Sequence, residues 1–134
     1  MQRILGILLF CLVLVDVSAF GRAKYCFKND GLKDSHKVSF TIDNNKVEGT
    51  FEVSAYLEED KSSDATRHFS GSRSGNLLTI KFEGKPPYPL PPNSKRIVWT
   101  LRNRTLKIPL YGKNYDTGKY STYIASYEKC KNDE

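Results

Sequence analysis

His36 and His68 are the only two histidines of the chain, and histidine is the side chain best suited to acid–base chemistry near neutral pH. With a nearby lysine, such a pair could supply the base, the acid and the neutralising charge that phosphodiester cleavage requires. The two histidines lack motif spacing, and each lies at or on a predicted strand. Two structural histidines are therefore the favoured interpretation, and a secreted nuclease is the alternative.

Other chemistry-bearing residue types do not form a recognisable catalytic or metal site. The segment 71–75 spaces two glycines around serines but is not a Gly-x-Ser-x-Gly elbow. The carboxylates of Glu58, Glu59, Asp60 and Asp64 could collect Ca²⁺, but the ligand spacing of an EF-hand is missing, which favours a solvated loop. The sequence predicts no catalytic residue, no metal ligand and no cofactor.

Tyrosines and lysines are interleaved around the proline-rich segment and the C-terminal third of the chain. Tyrosine offers a large, rigid contact area with a polar tip, and aromatic groups beside lysines can stack on bases or sugars. The residues predicted to contact a ligand are Tyr88, Tyr111, Lys113, Tyr115 and Tyr120. In the alternative interpretation, several tyrosines instead pack the mouth of the fold and hold the proline-rich loop down.

Asn103-Arg104-Thr105 is an N-x-T sequence at a predicted turn. In a eukaryotic protein Asn103 would be a glycosylation site, and in a bacterial protein it would be a turn residue only. The sequence leaves both possibilities open.

The first nineteen residues have the pattern of a secretory signal peptide. Arg3 precedes an apolar run over 4–15 that is too short to span a bilayer, and small residues end the segment at Ala19. Residues 20–134 are then a single domain of 115 residues, secreted or periplasmic, in an oxidising compartment. There, Cys26 and Cys130 are predicted to form one disulfide, since no C-x-x-C pair favours redox chemistry or zinc.

The excess of basic over acidic residues lies in the second half of the chain. Residues 20–70 have a balance of −1 and residues 71–134 a balance of +7, within a formal net charge of +6. This asymmetry makes an anionic extracellular ligand or protein a plausible partner. Nucleic acid is less favoured because the basic residues form no block, and a soluble β-surface with outward lysines is the simpler interpretation.

Period-two alternation of apolar and polar residues dominates the chain and predicts an all-β fold. Turn residues separate the predicted strands, Gly49 predicts a bulge or sharp bend, and five prolines make 84–94 a long, stiff loop. Residues 119–129 fit either a short helix or a bent final strand. We expect a small antiparallel β-barrel, since a barrel removes exposed edges. The predicted strands cover 37–42, 47–55, 66–71, 78–83, 96–101 and 106–110.

Two segments, 42–51 and 71–76, resemble the recurring hairpin and "GxxxGN" turn of a group of small secreted proteins with a lipocalin-like barrel. This resemblance covers the middle third of the chain and implies the same barrel. The predicted barrel with its near-terminal cysteine is also similar to the periplasmic inhibitors of c-type lysozyme. Their inhibitory Ser-Gly-x-x-Tyr loop is missing here, so no activity is carried over to a named residue.

Taken together, these patterns favour a non-enzymatic extracellular binding module that uses loops 84–95 and 111–119. Inhibition of a secreted hydrolase such as lysozyme is the first alternative, although repulsion between a basic chain and a basic lysozyme argues against it. The nuclease is the second alternative.

Overall fold

Alternating apolar and polar residues form eight strands in a computed structural model, which describes residues 22–31, 34–56, 62–114 and 116–131. The predicted signal peptide, Glu58 to Asp60, and Tyr115 lie outside these residues. The strands are β1 (Arg22–Asp30), β2 (Asp34–Asp43), β3 (Lys46–Tyr56), β4 (Ser62–Ser74), β5 (Leu77–Phe82), β6 (Ile97–Arg102), β7 (Thr105–Lys113) and β8 (Tyr120–Lys129).

The strands form a closed antiparallel barrel in which each strand pairs with the next and β8 returns to β1. This confirms the predicted all-β, lipocalin-like barrel. Two-residue turns at 44–45, 75–76 and 103–104 lie at one end, called the turn end. The opposite end, called the loop end, carries the longer connections, including 83–96. No helix long and apolar enough to cross a membrane occurs among the described residues.

The structure decides one open alternative and corrects two other details. Residues 120–129 form the final strand β8, one of the two structures predicted for 119–129, because nine residue pairs with β7 supply its backbone partners. Residues 62–64, predicted as loop, belong to β4, which continues to Ser74 and leaves only 75–76 as the turn. Strand β1 was not predicted by the alternation.

Gly49 marks a close approach between strands rather than a bulge. The pairing of β3 with its two neighbours is unbroken at Gly49, which lies opposite Phe40 on β2 and Phe69 on β4. A Cβ atom at this position would overlap the carbonyl oxygen of Ser39 and press on Phe40. The missing side chain therefore lets β2 and β3 approach closely at this point of the barrel wall.

Aromatic side chains fill the interior of the barrel. The rings of Phe69 and Trp99 lie 5.0 Å apart, and Phe51 contacts both Trp99 and Tyr88. Interior positions of a small barrel are commonly filled by side chains in this way. The core consists of Phe27, Val38, Phe40, Ile42, Val47, Phe51, Phe69, Leu78, Ile80, Phe82, Tyr88, Trp99, Leu101, Leu106, Ile108, Leu110, Ala125 and Tyr127.

The barrel closes through a short seam between β1 and β8. Only two residue pairs join these strands, Phe27 with Lys129 and Lys28 with Glu128. Beside them, Cys26 and Cys130 form the predicted disulfide, with their Cα atoms 5.4 Å apart, and the Cys130 N–H donates to the Cys26 carbonyl. The bond ties the first strand of the barrel to the last and is consistent with an oxidising extracellular compartment.

Candidate binding surface

The β7–β8 hairpin extends beyond the packed part of the barrel. On β8, only Ala125 and Tyr127 are buried, and residues 120–124 are exposed on both faces of the strand. The matching part of β7 is paired with this segment residue by residue up to Lys113. We call residues 109–113 and 120–124 the hairpin tip.

Three of the predicted ligand-contact residues meet on the outer face of the hairpin tip. Lys113 lies directly opposite Tyr120, and the rings of Tyr111 and Tyr120 stack with centroids 5.6 Å apart. Tyr120 is 62% exposed, and Ile124, on the same face, is 65% exposed. The sequence prediction missed Ile124, although its position two and four residues from Thr122 and Tyr120 is the period-two signal of a shared strand face. Together these side chains form an exposed aromatic and aliphatic surface beside a lysine.

Tyr123 occupies the opposite face of the hairpin tip. Its ring covers Gly112, where an added Cβ atom would lie 3.1 Å from the ring. The tip therefore presents apolar surface on both sides.

Tyr88 does not join this surface, which corrects its prediction as a contact residue. It is only 7% exposed and its hydroxyl accepts a hydrogen bond of 3.0 Å from the indole N–H of Trp99. Burial raises the pKa of Tyr88 to about 12, against a smaller lowering by the Trp99 hydrogen bond. Tyr88 thus anchors the proline-rich loop to the core, as the alternative interpretation described.

One further predicted site residue falls outside the described residues, and another lies away from the hairpin tip. Tyr115 is outside the described residues. Asn103 is exposed in the β6–β7 turn at the turn end, where its φ of 47° matches the tolerance of asparagine for left-handed backbone. A glycan at Asn103 would therefore lie away from the hairpin tip, and its attachment stays a prediction.

The two histidines face opposite sides of the barrel wall. His68 is exposed on the outer face of β4, while His36 points inward and its side chain is 11% exposed. This arrangement does not bring both imidazoles to one phosphodiester, as the nuclease alternative requires.

His36 instead belongs to a hydrogen-bonded chain with two other side chains. Its Nδ1 atom lies 2.6 Å from the Tyr127 hydroxyl, and its Nε2 atom lies 3.2 Å from Asp34. Burial, followed by the nearby Tyr88, Tyr123 and Asp34, raises the pKa of Tyr127 far above its ordinary value. Because Tyr127 keeps its proton, its hydroxyl donates to Nδ1, and Nε2–H donates to Asp34. These hydrogen bonds fix the imidazole tautomer, and the bond between His36 and Tyr127 joins β2 to β8.

In the part of the chain that the structure describes, no carboxylate pairs with the lysines around the hairpin tip. Among the described residues, Lys46 forms a salt bridge with Glu48 on β3, and the carboxylate of Asp34 contacts His36 on β2. Lys107, Lys113 and Lys119 have no carboxylate within 4.0 Å in that part of the chain. The tip therefore combines apolar surface with unpaired positive charge.

A depression of about 400 Å³ on the outer wall of β1 to β4 is another candidate surface. Lys28 and Lys37 line it together with Glu52 and Asp64, so charges of both signs alternate there. It has no aromatic lining, whereas binding sites are rich in aromatic side chains. In the described segments no three His, Cys, Asp or Glu side chains are grouped as metal ligands.

No family model, curated protein or solved structure matches this chain.

Proposed function

We propose that this protein is a secreted or periplasmic, non-enzymatic binding module that holds an anionic partner on the outer face of the hairpin tip. The observation that carries the proposal is the stacked pair of Tyr111 and Tyr120 beside Lys113 on a hairpin that extends from a filled barrel. The leader-like N-terminal sequence and the disulfide support the location outside the cytosol.

The chemistry of the tip suits recognition of a surface rather than enclosure of a small molecule. Stacked tyrosines give contact area at a low cost in side-chain entropy, because each has only two rotatable bonds. Exposed lysines add long-range attraction that weakens as salt is added. The proposed partner is therefore a negatively charged extracellular molecule with apolar groups between its charges.

Binding measurements with the purified oxidised protein test the proposal. The protein is titrated with sulfated glycans, anionic lipid vesicles and acidic extracellular proteins, and the tightest partner is kept. Changing Tyr120→Ala should then weaken binding by about tenfold or more, the range of an aromatic contact at the centre of an interface. Lys113→Glu should also weaken binding, and the loss of affinity should be larger at low salt than at high salt.

Lys24→Glu is the matched control, because it makes the same charge change at an exposed position on β1, away from the tip. Its affinity should stay within about twofold of the unchanged protein when salt is present to screen distant charges. If Lys24→Glu and Lys113→Glu lose affinity equally, the interaction depends on the net charge of the protein and not on the hairpin tip. Substrate turnover without any retained partner would contradict the proposal as a whole.

A further inference from the structure

Strand β8 has an open edge along the hairpin tip. It pairs with β7 over its whole length up to Glu128, but its other side meets β1 only at Glu128 and Lys129. Because β1 ends at Asp30, residues 120–125 of β8 have no strand on that side among the described residues. The barrel is therefore closed near the disulfide and open along the tip.

Two hydrogen bonds show which backbone groups face this open edge. The Cys130 N–H donates to Cys26 on β1, and the side chain of Asn29 donates to the carbonyl of Ser126. Along a strand, the N–H and C=O of one residue point to the same side and alternate between sides from residue to residue. The N–H and C=O of Tyr120, Thr122 and Ile124 therefore point away from β7, toward the open edge.

The open edge lacks the features that prevent strands from pairing with other chains. Residues 120–126, Tyr-Ser-Thr-Tyr-Ile-Ala-Ser, contain no charge, no proline and no glycine. Edge strands are usually protected by charges, prolines or bulges. The N-terminal part of β1, which lies beyond the seam at the other end of the barrel, carries Arg22 and Lys24. The unprotected edge of β8 is therefore suited to accept a further strand.

The surroundings of the edge determine the charge of that strand. From 107 to 124, the stretch that includes the hairpin tip, the chain has three basic residues, Lys107, Lys113 and Lys119, against one acidic residue, Asp116, a balance of +2. Lys113 is paired with Tyr120, and Lys119 immediately precedes it, so two lysines mark one end of the edge. This charge favours an acidic segment and disfavours a second copy of the chain.

We infer that the β8 edge binds an extended acidic segment of a partner protein, which adds as an antiparallel or parallel strand along Tyr120, Thr122 and Ile124. This inference rests on the proposed function and specifies its partner. Main-chain hydrogen bonds provide the affinity, and alternate side chains of the segment contact Tyr120 and Ile124. Carboxylates of the segment lie beside Lys113 and Lys119.

Peptide binding measured by fluorescence anisotropy tests this inference. The probe is a labelled peptide with alternating Val and Thr in the centre and Asp and Glu at its ends, and a second probe carries Lys at the ends. Thr122→Pro removes an N–H that faces the open edge without removing a bond to β7, whereas Thr122→Ala keeps that N–H and is the matched control. A third probe, the acidic peptide N-methylated at alternate residues, removes the same hydrogen bonds without changing the protein.

Four results support the inference. The acidic probe binds, and the basic probe binds at least about tenfold more weakly. Thr122→Pro and N-methylation each weaken binding of the acidic probe by about tenfold or more, whereas Thr122→Ala weakens it by less than about threefold. Absence of binding by the acidic probe overturns the inference, as does equal binding of the basic probe. Equal binding of the N-methylated probe also overturns it, even where Thr122→Pro fails to fold. Self-association that is lost in Thr122→Pro would identify a second copy as the occupant instead.

The proposed function fails separately from this inference. If a partner's affinity depends on Tyr120 and Lys113 but is unchanged in Thr122→Pro, the proposed binding surface stands and only the strand addition is refuted. A partner that depends on none of these residues removes both.

Discussion

Replacing Cys26 and Cys130 together by alanine should lower the free energy of unfolding by about 2–4 kcal/mol. The bond joins residues that are 104 positions apart and so closes almost the whole described chain into one loop. For a loop of this length, the chain-entropy estimate is about 4.7 kcal/mol at 25 °C, and the measured effect of a disulfide is usually smaller. The loss arises mainly because the unfolded chain gains freedom.

The short seam adds a local effect to this global one. Only two residue pairs hold β1 to β8, so without the disulfide the seam should open before the rest of the barrel unfolds. The amides of β1 and of residues 127–130 should then exchange with solvent faster relative to those of β2 and β3. The Asn29 bond to Ser126 and the His36 bond to Tyr127 limit how far this opening spreads along β8.

Urea unfolding of the double alanine variant and the unchanged protein measures the global effect, and hydrogen exchange measures the local one. The dependence on urea should become steeper in the variant, because its unfolded chain exposes more surface. Reductant should destabilise the unchanged protein and leave the variant unaffected. Ser39→Ala is the control for packing around the sulfur, since the Ser39 hydroxyl lies 4.0 Å from the sulfur of Cys26. A variant within about 0.5 kcal/mol of the unchanged protein would refute the reasoning, since the loop-closure entropy alone predicts more.

Three further outcomes are expected. Tyr127→Phe keeps the ring but leaves Nδ1 of His36 without a donor, so it should lower the free energy of unfolding in urea by about 1–3 kcal/mol. An unchanged urea midpoint would mean that this hydrogen bond contributes nothing to stability. The contribution of Tyr88 to stability should be constant below pH 10 and fall between pH 10 and 12, because unfolded tyrosine loses its proton at its ordinary pKa while folded Tyr88 keeps its proton up to a pKa of about 12. This fall amounts to about 3 kcal/mol for Tyr88 and should become smaller in Tyr88→Phe, measured by urea midpoints across pH; an identical pH profile in that variant would count against the assignment. Gly49→Ala should cost about 1–3 kcal/mol by the same assay, because its Cβ would overlap β2; exposed Thr79→Ala serves as the control, and equal stability of the two variants would contradict the close approach.

Strands that carry a regular alternation were predictable from the sequence. Val38, Phe40 and Ile42 point inward exactly as their spacing indicates, and positive φ angles at Asn44 and Asn45 form the predicted hairpin turn. Strand β1 was missed because the polar Asn29 shares its inward face with Tyr25 and Phe27, which interrupts the pattern. Its partner strand β2 and the seam supply the hydrogen bonds that make it a strand.

The candidate surface was only partly predictable. The abundance of tyrosine and lysine in the C-terminal third indicated a contact region, and Tyr111, Lys113 and Tyr120 do lie together there. Nothing local distinguishes Tyr88 from these tyrosines, since its burial depends on Trp99, Phe51 and Phe82 from other strands. The same applies to His36, whose hydrogen-bond partner is 91 residues away in sequence.

The sequence by itself determined the regularly alternating strands, the asparagine turns and the cysteine pair, and with them a barrel joined from its first strand to its last. These features follow from residue neighbours: side chains alternate along a strand, asparagine accepts left-handed backbone, and two cysteines can pair in one way. Only the tertiary structure decided which tyrosines face solvent and that β8 continues past the end of β1. Those properties depend on where each neighbouring strand stops, and this is set by the register of the whole closed sheet.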